Sequence, residues 1–253
     1  MLRIVLSFLV FCMIASCSSR ATFEGGDIVS VSQPPPALSS EANPLRIIII
    51  GGTAGVGMEL VEQALERGHV VTAVARRPER LSFSHPNLLT KKGDITSESD
   101  MRRLLPGHDV VVSTVGLSPG SRNVTLFSTG ITNLLTVMAD SGQNRLLAVS
   151  AIGAGDSKGH GSFWFDNVLQ PLILAEDIED KTRMEQILQQ NSINFTIVRP
   201  AILTNDIAEY NYRVFTSYEG IDTGKISRKD VAHFLLALAE QNSYVRDIVT
   251  LSN

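Results

Sequence analysis

The sequence predicts an α/β domain built on a doubly wound parallel sheet with helices on both faces. Three observations lead there. The apolar run Leu45–Ile50 stops at clustered glycines and then turns amphipathic. From Leu45 onward, apolar runs and amphipathic stretches alternate, as parallel strands joined by helices require. The body from 45 to 253, about 210 residues without an internal repeat, suffices for a single full core.

Each element follows from its residues. Apart from Arg46, Leu45–Ile50 is apolar, as a strand covered on both faces must be. Further strands are predicted at Val70–Ala75, Leu88–Lys91, Val110–Val115, Arg145–Ser150, Asn194–Arg199 and Asp247–Leu251. Helical periodicity predicts Val56–Arg67, Ser97–Leu105, Asn123–Ser141, Leu174–Asn191 and Arg228–Gln241. Thr96 or Ser97 opens the second of these helices and Ser227 the last, with Asp230 in its first turn. Gly68 and Gly142 stand where C-terminal caps belong.

The first 44 residues read differently. Met1–Ser16 has the form of an export signal: Arg3, an apolar core at Ile4–Ile14 too short to span a bilayer, then small Ala15-Ser16. Ile14-Ala15-Ser16-Cys17 resembles the lipobox of bacterial lipoproteins, which implies acylation of Cys17 and anchoring to a membrane by lipid on the periplasmic or cell-surface side. The other reading is a plain secretory signal or a short membrane anchor; if the signal does not function, the protein stays cytoplasmic. The expected organisation is therefore a signal at 1–17, a flexible tether at 18–44 rich in Ser, Gly, Pro and Ala, and the domain at 45–253. Both cysteines, Cys12 and Cys17, precede the domain, which excludes a disulfide, a thiol nucleophile and a cysteine metal site from it. A formal charge of −4 and a pI near 5.7 argue against a surface that coats nucleic acid.

The chemistry is carried by the glycine turn Gly51-Gly52-Thr53-Ala54-Gly55-Val56-Gly57. Its spacing is Gly-x-x-x-Gly-x-Gly. Such a turn needs backbone angles that side chains forbid and lets backbone approach a ligand closely. The following helix offers unpaired N–H groups and a partial positive charge to a pyrophosphate. After the second strand comes Arg76-Arg77-Pro78-Glu79-Arg80. A carboxylate there selects a free ribose 2′-OH, whereas arginine accepts a 2′-phosphate. Arg76 and Arg80 are thus the candidates for gripping NADP in preference to NAD, with Arg77 stacked or in solvent. A solvated basic loop is the plainer reading.

Gly93-Asp94-Ile95 closes the third strand; Asp94 either accepts from the adenine amino group or starts the next helix, and the two are compatible. Ser113, Thr114, Val115 and Gly116 should line the cofactor trough. Ser150 ends the fifth strand at the sheet edge where ligands bind, and is the best-placed polar group for a substrate; a hydrogen-bonded strand-end serine is the alternative. Gly153–Gly161 reads as a mobile loop over that edge, and Phe163-Trp164-Phe165 as an aromatic cluster that covers or packs the pocket. The histidines show no metal spacing: His233 reads as structural, and His160 lies in the mobile loop.

Taken in order, the Gly51–Gly57 turn, Arg76–Arg80, Gly93-Asp94, the Ser150 strand end, Lys181-Thr-Arg-Met-Glu185 and Arg199-Pro200-Ala201 resemble atypical short-chain dehydrogenases, in particular the NmrA-like and flavin/biliverdin reductase group. The resemblance covers about Leu45–Asn253. It implies a Rossmann fold with NADP(H) across the strand tips, and Pro200, Ala201 and Ile202 near the nicotinamide. One departure is large. The Tyr-x-x-x-Lys of the tyrosine-dependent branch is missing, since Gly159–Lys181 contains no tyrosine. Ordinary carbonyl reduction then lacks its proton donor. Lys181 resembles the lysine kept near the ribose in tyrosine-free members, as orienter or proton donor; the plainer reading pairs it with Glu185 at i, i+4.

Two functions follow as expectations. One is an NADPH-dependent reductase of a flavin, quinone-like or other small conjugated acceptor, with Ser150 and Lys181 as catalytic candidates, since face-to-face hydride transfer to a flavin needs little acid catalysis. The other is a non-catalytic NAD(P)-binding sensor or scaffold. Export complicates both: a signal with a single arginine implies transport of an unfolded chain into a compartment poor in NADPH. Substrate and oligomeric state are not legible, although the 210–218 region is expected to hold substrate specificity.

Overall fold

The computed structural model describes residues 28–31, 43–117, 124–218 and 223–253. Cys17, the export signal and Asn123 lie outside them. Among the described residues there are eleven strands, β1 Ile28–Val31, β2 Arg46–Ile50, β3 Val70–Ala75, β4 Leu88–Lys92, β5 Val110–Ser113, β6 Arg145–Val149, β7 Asn194–Pro200, β8 Ile202–Thr204, β9 Tyr212–Phe215, β10 Lys225–Ser227 and β11 Asp247–Ser252. The helices are α1 Gly55–Glu66, α2 Glu98–Leu104, α3 Leu126–Ser141, α4 Ala175–Gln189 and α5 Arg228–Gln241.

Nine strands form one sheet in the order β1-β9-β11-β7-β6-β5-β2-β3-β4. From β4 to β11 every neighbouring pair is parallel. The chain starts this run at β2, winds outward through β3 and β4, then returns to β5 on the other side. That reversal is the topological switch point, and the crevice between β2 and β5 opens at the carboxyl ends of the strands.

The core divides as strand geometry demands. Ile47 and Ile49 face α1 and α5, while Ile48 and Ile50 face α2, α3 and α4. All four isoleucines are buried, so β2 needs the continuous apolar run seen in the sequence. Ser97 caps α2 and Ser227 caps α5 through their hydroxyls, and Gly142 closes α3 in the left-handed conformation, as expected.

Four departures matter. First, Ile28–Val31, inside the stretch read as a flexible tether, pairs antiparallel with Tyr212–Phe215 and lengthens the sheet; β-branched residues in a short run suffice once an edge strand is available. Second, β9 and the small parallel pair β8–β10 carry no strong pattern in the sequence; β9 forms against the edge of β11, and β8 and β10 pair with each other in a separate two-stranded sheet. Third, the helix expected from Leu174 is preceded by a π-helical stretch, Phe165–Leu174, containing Pro171, a wide turn that accommodates the missing proline N–H. Fourth, the loop after Ser150 is pinned rather than loose. Ser157 Oγ accepts from Gly153 N (2.9 Å) and donates to Ala154 O (2.6 Å), and Gly155 N donates to Thr182 Oγ1 (3.0 Å).

Candidate nucleotide-binding and reaction site

The glycine turn is built as a cradle. Gly51 takes φ +95°, and a Cβ placed on it would come within 2.9 Å of the Thr114 backbone. A Cβ on Gly57 would run into Gly51 O and Thr114 Oγ1. Only hydrogen fits at either place. The β5 end holds the other wall, with Thr114 N and Thr114 Oγ1 both donating to Ile50 O (2.8 and 3.1 Å). Gly51 N and Gly52 N both donate to Val74 O, tying the turn to β3.

Above the turn, α1 begins with neither a side-chain cap nor an acidic residue in its first turn. Its first amides and its dipole are thus left for an anion. Val56 and Gly57 are buried, Thr53 is half-buried and Ala54 is exposed. A nicotinamide nucleotide fits this arrangement, because the cradle that a methyl group would fill is kept open beside uncapped helix amides.

Arg76, Arg77 and Arg80 are exposed on the turn after β3, and their side chains make no hydrogen bond or ion pair among the described residues. They are available to a phosphate. Sequence reasoning missed a further arginine. Arg228, first residue of α5, lies over Gly55, its Nε 3.7 Å from where a Cβ would stand, and is steadied by donating from Nη1 to Asn205 Oδ1 (2.7 Å). The signal was only an arginine at a helix start, far away in the chain.

The remaining cofactor candidates fare unevenly. Asp94 Oδ1 accepts from Thr96 N and Thr96 Oγ1 (3.0 and 2.8 Å), a local turn just ahead of Ser97, the residue that caps α2. Ile95 is in the core, packed under Gly130, with its carbonyl taken by Asn133; its side chain cannot face a nucleotide. Val115 is half-buried and Gly116 exposed, in open space where a Cβ would meet nothing within 4 Å. Pro200 and Ala201 are buried, with Pro200 O accepting from Ile152 N and Ala201 N donating to Leu251 O, and Ala201 joins the core. Ile202 is half-buried and pairs in β8.

Ser150 continues the β6 register, its N–H donating to Val198 O (2.8 Å). It is 3% exposed, yet its Oγ has no hydrogen-bond partner among the described residues. A buried hydroxyl left unpaired costs about 1–3 kcal/mol, which a strand-end serine of purely structural use would not carry.

Beside it stands a polar cluster. The β6–β7 and β7–β11 registers place Ser150, Arg199 and Thr250 in one row on the face covered by α4. Arg199 donates from Nε and Nη2 to the two oxygens of Glu185, and from Nη1 to Asp156 Oδ1 and Tyr218 OH. Burial works against the guanidinium charge, but Glu185 more than reverses this and raises its pKa above the ordinary value. Tyr218 OH bonds Thr250 Oγ1 (2.6 Å), and its ring stacks on His160. So the 210–218 region does reach this edge, through Tyr218.

Because Arg199 takes both Glu185 oxygens, the Lys181–Glu185 pair of the plainer reading does not form. Lys181 instead sets its ammonium 4.8 Å from the Phe127 ring centroid, and burial lowers its pKa. The aromatic cluster is split: Phe165 is buried against Ile152, Ala154 and Ile178, whereas Phe163 and Trp164 are exposed. His233 is structural as expected, buried with Nδ1 against Tyr212 OH (2.7 Å). A separate cavity of about 680 Å³ lies between the 153–159 loop, Pro171 and α4.

A doubly wound sheet with a glycine cradle at its switch point defines a Rossmann-type nucleotide-binding protein. Residues 51–242 match the NAD(P)H-binding family, and the chain belongs to it. An uncharacterized chloroplastic protein of Arabidopsis thaliana is 29% identical over 213 residues, covering 79% of this chain and 74% of that protein. Among solved structures, ChuY, an anaerobillin reductase of Escherichia coli O157:H7, superposes with a TM-score of 0.69 at 20% identity, over 82% of this chain and 96% of its own. A short-chain dehydrogenase/reductase of Veillonella parvula in complex with NADP gives 0.67 at 16%, over 83% and 94%. At these identities both structures bear on the fold alone.

Proposed function

We propose that this protein is an NADPH-dependent reductase of a flavin, quinone-like or other small conjugated acceptor. The single observation that carries the reading is the cradle: Gly51 and Gly57 held open against Thr114 beside the uncapped start of α1. Gly51–Gly57 would hold the pyrophosphate, assisted by Arg228. Arg76 and Arg80 would hold the 2′-phosphate and set the preference for NADP over NAD. The bound nicotinamide supplies a hydride. Ser150, unpaired at the end of β6, is free to hold a polar atom of the acceptor, and half-buried Lys181 stands on the helix that covers the same row. The NAD(P)H-binding family match supports the nucleotide half of this reading.

Titrating the full chain with NADPH and NADH, then assaying turnover with FMN and menadione, tests this. Tighter binding of NADPH with turnover supports the reductase; tight binding without turnover of any conjugated acceptor favours the sensor; no binding of either nucleotide removes both. Acylation of Cys17, holding the domain at a membrane, belongs to the same proposal. It is checked by fractionating a Cys17→Ser variant, which should leave the membrane fraction.

A further inference from the structure

Asp177, Lys181 and Glu185 follow one another at four-residue spacing along α4, so they lie near one side of the helix. One end of this stripe is fixed, because Glu185 grips Arg199, which stands next to Ser150 in the sheet register. The other end is Asp177, in the first turn of α4. As α4 connects parallel β6 to β7, that turn lies at the edge where the strands end.

Between the two carboxylates, Lys181 rests over Phe127 and closes a salt bridge with neither. Asp177 is half-buried and makes no hydrogen bond among the described residues. Burial pushes its carboxyl pKa up, Lys181 draws it down, and Asp180 and Glu176 push it up again. Burial lowers Lys181 against the pull of Asp177 and Glu185. Asp177 and Lys181 thus stand one helical turn apart, a carboxyl and an amine on the helix that covers the Ser150–Arg199 row, at the edge where the strands end.

We propose that Asp177 is the proton donor to the acceptor, so that the site reduces conjugated carbonyl compounds despite lacking a tyrosine. The step balances. The hydride pair of NADPH enters the conjugated system, which becomes reduced as NADPH is oxidised to NADP⁺. The displaced C=O π pair moves onto oxygen, which forms an O–H bond as the O–H bond of Asp177 breaks. The resulting carboxylate is stabilised by Lys181 and takes a new proton from water. This rests on the NADPH-dependent reading above and narrows its acceptor class.

The test uses the full chain with menadione as acceptor. Asp177→Asn should lower kcat by about a hundredfold with the Kd for NADPH within about twofold, and Asp177→Glu should recover part of the loss. Carboxyl-carbon NMR of the protein without nucleotide supplies a readout that needs no turnover. A resonance titrating above 3.8 should vanish in Asp177→Asn and move higher in Lys181→Met. Unchanged kcat in Asp177→Asn, or an Asp177 carboxyl titrating at 3.8 or below, overturns the proposal and leaves nucleotide binding standing. Failure of the unaltered protein to bind NADPH overturns both.

Discussion

Arg199 and Glu185 face each other across the β7–α4 boundary, Nε and Nη2 donating to Oε1 and Oε2 at 2.9 and 2.6 Å, each side chain 2% exposed. The pair fastens α4 to the strand tips and sets where Lys181 and Asp177 stand. Removing Glu185 leaves buried Arg199 with exposed Asp156 as its remaining counter-charge; breaking a buried pair typically costs about 3–5 kcal/mol. Glu185→Gln should therefore lower the denaturation midpoint far more than substitution of exposed Glu179. Equal midpoints for these two variants in urea titrations would show that the pair does not anchor the helix.

A methyl group at Gly57 has nowhere to go, since Gly51 O and Thr114 Oγ1 already touch its space. Gly57→Ala should cost about 1–3 kcal/mol through overpacking and abolish nucleotide binding. Calorimetry of folding and fluorescence titration with NADPH read the two effects separately.

The arginines around the cradle should divide the nucleotide between them. Arg76→Ala is expected to weaken NADPH by about 1.5–3 kcal/mol, the range for hydrogen bonds to a charged group, while NADH binding stays as it was. Arg228→Ala should weaken both nucleotides alike, since the partner proposed for it is the pyrophosphate they share. Paired Kd measurements distinguish the two patterns.

Ser150 presents the opposite of an anchoring residue. Its Oγ is buried and unpaired, so Ser150→Ala removes a polar group that folding has desolvated without return. Thermal stability should hold or rise while turnover with menadione falls. A variant that loses both would mean that the hydroxyl is structural.

His233 gives the protein an acid-sensitive point. Burial pulls its pKa down to about 4 from 6.5, so the unfolded chain takes up a proton that the folded one refuses. Stability is unaffected above pH 6.5 and falls as the pH drops from 6.5 toward 4, by about 3 kcal/mol for this residue alone. His233→Gln should flatten the slope of unfolding free energy across that window.

Much of this architecture was legible in the chain. Short apolar runs bounded by turn residues read as strands covered on both faces, and this placed the inner parallel strands, β4 being a polar, exposed edge. The glycine spacing gave the cradle, and local hydroxyls gave the starts of α2 and α5. The edge at β1 and β9 was not legible, because a four-residue strand earns its place only from a neighbour far away in sequence. The proposed role of Asp177 was not legible for a chemical reason: the pattern that marks a proton donor before Lys181 is a tyrosine, and the chain offers only an acidic residue one helical turn earlier.

By itself the sequence determined the period of burial, the places where backbone must come close to a ligand, and the absence of cysteine from the domain and of tyrosine between Gly159 and Lys181. These are properties of residue type and spacing. Only the tertiary structure decided that Glu185 belongs to Arg199 and not to Lys181, that Ser150 Oγ has no hydrogen-bond partner among the described residues, and that Arg228 overlies Gly55. Partner choice depends on which side chains reach the same desolvated space first, and a linear spacing holds no record of the competitor arriving from another strand.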